Sequence, residues 1–126
     1  LSGMSTEEQV RDNLKTFNHY EPLTDAEQAV IDRVVKEIRG SIRNGCTGCA
    51  YCMPCPFGVD IPRNFSIWNE YGMYNNAGKT KENLARLDAE KWADKCRECG
   101  KCEKACPQEL PIREDLKRMF AEVSAL

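Results

Sequence analysis

Eight cysteines stand at spacings that suit metal binding, and all of them fall in two short runs. The first run, Cys46 to Pro56, reads CTGCAYCMPCP, and the second run, Cys96 to Pro107, reads CRECGKCEKACP. Each run begins with three cysteines at three-residue intervals and ends on a fourth cysteine that proline follows. So many thiols in so little sequence indicate either a metal framework or disulfide bridges, and the clustered spacing favours metal.

The spacing also favours iron–sulfur clusters over single zinc ions. A zinc ion takes four ligands in a tetrahedron, and structural zinc sites usually draw two pairs of ligands from separate segments. A [4Fe–4S] cluster presents four iron corners spread over a larger volume, so three cysteines at successive short steps suit it. The eight cysteines therefore predict two [4Fe–4S] clusters, with paired zinc sites as the alternative.

The two runs are copies of one pattern, and the pattern predicts how the ligands divide. The first three cysteines of the runs are 50 residues apart, whereas the fourth cysteines are 51 apart. In two-cluster ferredoxins, the cysteine before proline ligates the other cluster. One predicted site is therefore formed by Cys46, Cys49, Cys52 and Cys106. The other is formed by Cys96, Cys99, Cys102 and Cys55. Only two residues separate Cys52 from Cys55, so local ligation by Cys55 stays open.

Capping patterns predict two helices before the first run. Ser5 and Glu8 fit one capping box, and Thr24 and Glu27 fit a second. The second helix is predicted to end near Gly40. Its apolar residues recur at helical spacing and are predicted to be core: Val30, Ile31, Val34, Val35 and Ile38.

Two further helices are predicted between the cysteine runs. One opens at Pro62 and runs to about Asn75, and the other is capped by Thr80. Their predicted buried sides carry Phe65, Trp68 and Tyr71 in the first and Leu84, Leu87 and Trp92 in the second. The residues NNAGKT between them are interpreted as a linker.

The second cysteine run is itself predicted to be helical, unlike the proline- and glycine-rich first run, which is predicted to be a loop. A last helix is predicted from Pro111 or Ile112 to about Val123. No segment alternates apolar and polar residues as a half-buried strand would. The predicted fold class is all-α, a helical ferredoxin-like di-cluster domain with two pseudo-repeated cysteine loops.

Composition places bounds on the partners. The chain has 126 residues, of which 30% are charged, and its net charge is −2. That balance gives no electrostatic argument for nucleic acid or for an anionic membrane. No stretch approaches the roughly 20 apolar residues of a membrane span. We therefore expect a cytoplasmic protein whose partners are neither nucleic acid nor membrane.

Two longer stretches carry a family resemblance. The stretches CTGCAYCMPCPFGVDIPRNF and CRECGKCEKACPQELPIREDL closely resemble the C-terminal ferredoxin-like domain of iron–sulfur aldo/keto reductase-family oxidoreductases. LSGMSTEEQVRDNL resembles the end of the aldo/keto reductase barrel, and PLTDAEQAVIDRVVKEI resembles the helix that links barrel to cluster domain. The resemblance implies a barrel remnant at 1–20, a linker helix at 21–42 and the di-cluster domain at 43–126.

The same resemblance implies a nicotinamide cofactor for a longer protein. Gln9 and Asn13 fall where family members contact adenine, and Ser5 falls where many carry an arginine for the 2′-phosphate. A hydroxyl cannot supply the charge pairing of an arginine, so either NADP(H) or NAD(H) is implied. The catalytic residues of the family would lie upstream, so the chain is expected to be the last third of an enzyme and to contain no catalytic residue. His19 is interpreted as non-functional.

Three functions follow from these observations. The leading hypothesis is electron transfer, in which the two clusters relay electrons between the upstream barrel and a redox partner protein. The first alternative is that the clusters are purely structural. The second is a zinc-stapled interaction module.

The two runs differ in charge. No residue from Gly45 to Val59 is charged, whereas the stretch from Lys95 to Cys106 carries four basic and two acidic residues. Solvent and nearby cations favour adding an electron to a cluster. The cluster at the second run is therefore predicted to be the more exposed and the more easily reduced.

Overall fold

The computed structural model describes residues 3–126, and the regular structure in that range is helical. Its α-helices are α1 (Glu7–Asn18), α2 (Asp25–Ser41), α3 (Ile61–Tyr74), α4 (Ala77–Ala85), α5 (Lys101–Ala105) and α6 (Ile112–Ser124). Two 3₁₀ turns, Ala89–Lys91 and Ala93–Lys95, precede the second cysteine run. The described range contains no β-strand, which confirms the all-α prediction. None of these helices is long and apolar enough to cross a lipid bilayer.

The chain divides into two compact units, Leu1–Val35 and Lys36–Leu126. The division falls within α2, and the predicted boundaries after residues 20 and 42 stay predictions. The second unit holds both cysteine runs and the hydrophobic core.

Helix α1 begins one residue later than predicted. The N-cap is Thr6, whose Oγ1 accepts a hydrogen bond from the Gln9 backbone N at 3.3 Å. The Gln9 Oε1 accepts from the backbone N of Ser5 at 2.7 Å and of Thr6 at 3.3 Å. The predicted pair of Ser5 and Glu8 is therefore wrong. Either of two adjacent hydroxyl residues can serve as the N-cap of a helix. Here Thr6 does, and the Gln9 side chain forms the reciprocal bond of the capping box.

Helix α2 begins as predicted, but its apolar face is not core. The Thr24 backbone N donates to Glu27 Oε2 at 2.9 Å, and the Glu27 backbone N donates to Thr24 Oγ1 at 3.3 Å. The bonds that the backbone N and the hydroxyl of Thr24 donate to the Glu27 carboxylate lower the pKa of Glu27. The helix ends at Ser41, one residue past Gly40. The predicted core residues are exposed by 37–52%: Val30, Ile31, Val34, Val35 and Ile38. Periodicity identifies the apolar face of a helix, not whether anything packs on it.

Helices α3 and α6 are equivalent halves of the core. Asp60 caps α3, where its Oδ1 accepts from the Arg63 backbone N at 3.1 Å, and the predicted helices at 62 and 112 are confirmed. Three pairs of buried side chains in the two helices are 51 residues apart: Ile61 and Ile112, Phe65 and Leu116, and Trp68 and Met119. The repeat seen in the cysteines therefore extends through the core.

Helix α4 occupies part of the predicted linker. Asn76 is its N-cap, since the Asn76 Oδ1 accepts from the Lys79 backbone N at 3.0 Å. Thr80 is a buried residue inside the helix, and its hydroxyl donates to the Asn76 carbonyl at 2.9 Å. Both the linker and the Thr80 cap are wrong predictions, because asparagine is at least as good an N-cap as threonine. The helix ends before Trp92, whose Nε1 donates to the Leu87 carbonyl at 2.9 Å.

The cysteine runs are mostly loop. The first run contains no helix, as predicted. The predicted helix of the second run is limited to α5, so Cys96 to Gly100 is a loop as well. Left-handed backbone at Glu98 and Gly100 accounts for the difference, since an α-helix cannot continue through such residues.

Candidate metal centre

The loops bring the eight free thiols into two groups around two cavities. The first cavity is lined by four cysteines, Cys46, Cys49, Cys52 and Cys106. The second cavity is lined by Cys55, Cys96, Cys99 and Cys102, and Cys52 reaches it too. The fourth cysteine of each run thus lies at the cavity of the other run, as the Cys-Pro pattern predicts. Because Cys52 lines both cavities, the two adjoin.

The position of Cys55 bears on the question that the sequence leaves open. Cys55 lines the second cavity together with the cysteines of the second run, and it is absent from the lining of the first. Its position favours ligation across the repeats over local ligation. Ligation itself stays a prediction.

Each cavity is lined by at least four cysteines, the number of thiolates that a [4Fe–4S] cluster takes. Within residues 3–126, no group of three or more His, Cys, Asp or Glu side chains converges closely enough to hold a single metal ion. Soft thiolates are the ligands that iron–sulfur clusters use. The donor set therefore fits one cluster in each cavity.

Backbone N–H groups point at one thiol in each run. The Gly48 N donates to Cys46 Sγ at 3.4 Å, and the Glu98 N donates to Cys96 Sγ at 3.4 Å. Donor and acceptor are each 50 residues from their counterparts. Hydrogen bonds to sulfur stabilise the thiolate form that binds metal.

Left-handed backbone occurs at equivalent positions of both loops. The pairs are Gly48 and Glu98 (φ 72° and 56°), Ala50 and Gly100 (φ 62° and 75°), and Gly58 and Glu109 (φ 84° and 51°). One member of each pair is a glycine, and the glycine changes sides from pair to pair. Sequence reasoning did not find this equivalence. Glycines at matching positions would have indicated it, but each glycine here is matched by a different residue type.

A buried polar network holds the first loop. The Asn44 Oδ1 accepts from the Cys46 backbone N at 2.8 Å, and its Nδ2 donates to Asp115 Oδ2 at 2.6 Å. Asp115 in turn accepts from Arg118 Nη1 at 2.9 Å. The Asn69 side chain binds both backbone groups of Asn44, accepting from its N at 2.9 Å and donating to its carbonyl at 2.8 Å. Helices α3 and α6 thus fix the chain just before the first predicted ligand.

A single buried asparagine holds the chain before the second run. The Asn64 Nδ2 donates to the carbonyls of Asp60 and Lys91 at 2.7 and 2.8 Å, and its Oδ1 accepts from the Ala93 N at 3.0 Å. Asn64 in α3 lies 51 residues before Asp115 in α6. Each helix therefore uses the same position to hold the segment that enters the opposite run. Extending the repeat alignment into these helices would have revealed both residues.

The second cavity is charged and the first is not. Arg97, Glu98 and Arg113 line the second cavity, whereas no Asp, Glu, Lys or Arg side chain lines the first. Arg113 binds Glu103 through its backbone N at 2.9 Å and its Nε at 2.8 Å. These bonds lower the pKa of Glu103 and raise that of Arg113. Lys117 pairs with Glu98 at 2.7 Å.

Burial makes two of the thiols poor acids. It raises the pKa of Cys102 to about 11, with smaller contributions from the Glu103 charge and Cys96. Burial also raises the pKa of Cys52, with smaller contributions from neighbouring thiols. A metal ligand must be a thiolate, so binding at these residues would release protons.

The predicted nucleotide-contact residues lie at the start of the first unit. Ser5 and Gln9 take part in the cap of α1, where the side-chain Oε1 of Gln9 accepts hydrogen bonds from the backbone N of Ser5 and of Thr6. Asn13 lies one turn further along α1. Their role toward NADP(H) or NAD(H) stays a prediction. His19 is the C-cap residue of the same helix.

Comparison with known proteins agrees with the geometry. A family model described as a 4Fe-4S dicluster domain matches residues 45–111, a segment that contains all eight cysteines. No curated protein and no solved structure matches the chain. The matched segment covers 67 of the 126 residues. It includes all the cysteines that line the two cavities. The chain therefore belongs to the 4Fe-4S dicluster domain family, whose members bind two iron–sulfur clusters.

Proposed function

We propose that the chain transfers single electrons through two [4Fe–4S] clusters, one in each four-cysteine cavity. The observation that carries the proposal is the division of eight thiols between two adjoining cavities with Cys52 in the wall of both. A bound cluster supplies reversible one-electron chemistry. The protein would hold the two centres side by side.

In this proposal each run supplies three ligands to its own site and one to the other. The first site takes Cys46, Cys49, Cys52 and Cys106. The second takes Cys96, Cys99, Cys102 and Cys55. Ligation across the repeats joins both loops into one folding unit, so metal binding contributes to the stability of the whole second unit.

Anaerobic purification followed by iron and sulfide analysis tests the proposal. We expect about eight iron and eight sulfide per chain, and a reductive titration that is reversible at both centres. Stoichiometric zinc in a colourless protein would favour the interaction module instead. A brown protein whose clusters accept no electrons would favour purely structural clusters. Either result would overturn electron transfer.

The resemblance to iron–sulfur aldo/keto reductases supports a longer context. We infer that the chain is the C-terminal part of an oxidoreductase whose upstream barrel binds NADP(H) or NAD(H) with help from Ser5, Gln9 and Asn13. Exposed apolar side chains on α1 support a missing neighbour there: Val10, Leu14 and Phe17. In the longer polypeptide, Gln9→Ala should weaken NADPH binding measured by fluorescence, and Glu8→Ala on the same helix should not. Equal affinities would contradict the assignment.

The second loop offers a basic edge to an acidic redox partner. Arg97, Lys101 and Lys104 are exposed, and none of them forms an ion pair with the described residues. Arg97 and Lys101 are each two residues from Cys99 in the sequence, and Cys99 is an exposed cysteine. Unpaired surface charge steers a partner of opposite sign, and the association rate then falls as salt rises. Replacing all three by glutamine should remove most of the salt dependence of electron transfer to an acidic acceptor protein. An unchanged salt dependence would place the docking edge elsewhere.

A further inference from the structure

Arg113 is a charged group that α6 places at the wall of the second cavity. It lines the cavity together with Cys96, Cys99 and Cys102. A methyl group built on Gly100 would lie 3.9 Å from the Cζ and the Nη1 of Arg113. Gly100 joins two predicted ligands, so the guanidinium lies directly beside the loop that holds them.

Contacts with Glu103 and Glu98 hold the guanidinium of Arg113. The Glu103 carboxylate binds the backbone N and the Nε of Arg113 at 2.9 and 2.8 Å, and its Oε2 is also 2.8 Å from Nη2. The Nη1 of Arg113 also donates to the Glu98 carbonyl at 3.5 Å, so the guanidinium is held by contacts on more than one side. Arg113 lines the cavity, but Glu103 does not. The guanidinium of the pair is therefore part of the wall of the second cavity, whereas the carboxylate is not.

The first cavity has no counterpart of this charge. The position 51 residues before Arg113 is Pro62 at the start of α3. The side chains that line the first cavity are thiols, apolar groups and neutral polar groups such as Gln108. Two cavities with equivalent thiol sets thus differ in the charge that faces them.

We propose that Arg113 sets the reduction potential of the second site and makes it the better electron acceptor of the two. The inference rests on the proposed function. In the step concerned, one electron leaves the first site and arrives at the second, so the first is oxidised and the second is reduced, with no bond made or broken. The electron originally comes from a one-electron reductant. A fixed cation beside the second site stabilises the added negative charge, whereas the uncharged wall of the first does not.

A redox titration of the loaded protein, followed by electron paramagnetic resonance with dithionite as reductant, tests this inference. The unaltered chain should show two distinct midpoint potentials. Arg113→Gln should lower the higher one by about 59 mV, which is a tenfold loss of electron affinity for a one-electron couple, and leave the lower one unchanged. Arg113→Lys keeps the charge and should retain most of the difference.

Lys117→Gln is the matched control. Lys117 lies on the same helix and pairs with the cavity residue Glu98 at 2.7 Å, but it does not line the cavity. Removing its charge should change electron affinity by less than about threefold, because Lys117 lies outside the cavity wall and screening by solvent and salt weakens a charge with distance. A shift as large as that of Arg113→Gln would overturn the inference, because net charge alone would then explain it.

Two further variants move the potentials in the opposite direction. Glu103→Gln removes the counter-charge of the guanidinium and should raise the higher potential. Pro62→Arg places a guanidinium at the equivalent position and should raise the lower potential. If Arg113→Gln loses iron, Arg113→Lys and Glu103→Gln still decide the matter.

The outcomes separate this inference from the proposed function. Absence of reversible reduction in the unaltered chain would overturn electron transfer itself, and the inference with it. Two reversible couples that Arg113→Gln and Glu103→Gln leave unchanged would overturn the role of Arg113 alone. A shift confined to the lower couple would also overturn it.

Discussion

The two cysteine loops are alike in backbone and thiols and unlike in the polar groups around them. Both carry an N–H to sulfur bond at 3.4 Å, and both turn through left-handed residues at equivalent positions. The chain before the first loop is held by a charged network that includes Asp115, whereas the chain before the second is held by the neutral Asn64. The comparison shows that the shared backbone conformation accompanies the shared positions of the thiols, whereas the polar groups that hold each loop differ.

Replacing the fourth cysteine of either run is expected to have the largest effect and to separate the two sites. Cys55→Ser should remove the cluster of the second site and leave that of the first, so iron falls to about half. Cys106→Ser should do the opposite. Electron paramagnetic resonance of the reduced variants identifies which signal is lost. Loss of the first-site signal in Cys55→Ser would mean that ligation is local to each run.

The two anchors should differ in cost. Asn44→Ala leaves the buried Asp115 carboxylate without one partner and the Cys46 N without its acceptor, so we expect a loss of about 2–3 kcal/mol. Asn64→Ala leaves the Ala93 N unsatisfied while the two carbonyls keep backbone partners, so we expect about 1–2 kcal/mol. Chemical unfolding of the loaded protein measures both.

The cluster that each of these two variants retains is a control for the stability measurement. Asn44→Ala should weaken retention of the first cluster, and Asn64→Ala retention of the second. Equal costs, or loss of the same cluster in both variants, would mean that the anchors are not specific to one loop.

Substitutions at the equivalent positions Ala50 and Gly100 are expected to have the smallest effect on stability. Ala50 and Gly100 share left-handed backbone, which costs an L-residue about 1–2 kcal/mol. Gly100→Ala should therefore destabilise the protein by about 1 kcal/mol, and Ala50→Gly should stabilise it by less than that, because glycine loses more entropy on folding. Thermal unfolding of the two variants side by side checks the signs. A destabilised Ala50→Gly would show that the alanine methyl group matters more than the backbone.

Sequence reasoning reached those features that local chemistry controls. The Cys-Pro pattern predicted the grouping of thiols, and prolines with apolar spacing predicted α3 and α6. It failed where the answer depends on distant packing. The apolar stripe of α2 was predicted to be core, but it is exposed. Helical periodicity identifies an apolar face and does not show what packs against it. Asn44 and Arg113 were missed for the same reason, since their partners Asp115 and Glu103 are 71 and 10 residues away.

The crossover of the fourth cysteines also has a consequence for synthesis of the chain. Cys106 is 60 residues downstream of Cys46, and both line the first cavity. At about 5–20 residues per second, a ribosome needs about 3–12 s to add that stretch. During this interval the first loop has only three of its thiols, together with Cys55, whose place is at the other cavity. With ligation across the runs, as proposed above, a cluster delivered in this interval would meet an incomplete set of ligands, so we expect insertion to follow the emergence of the second loop.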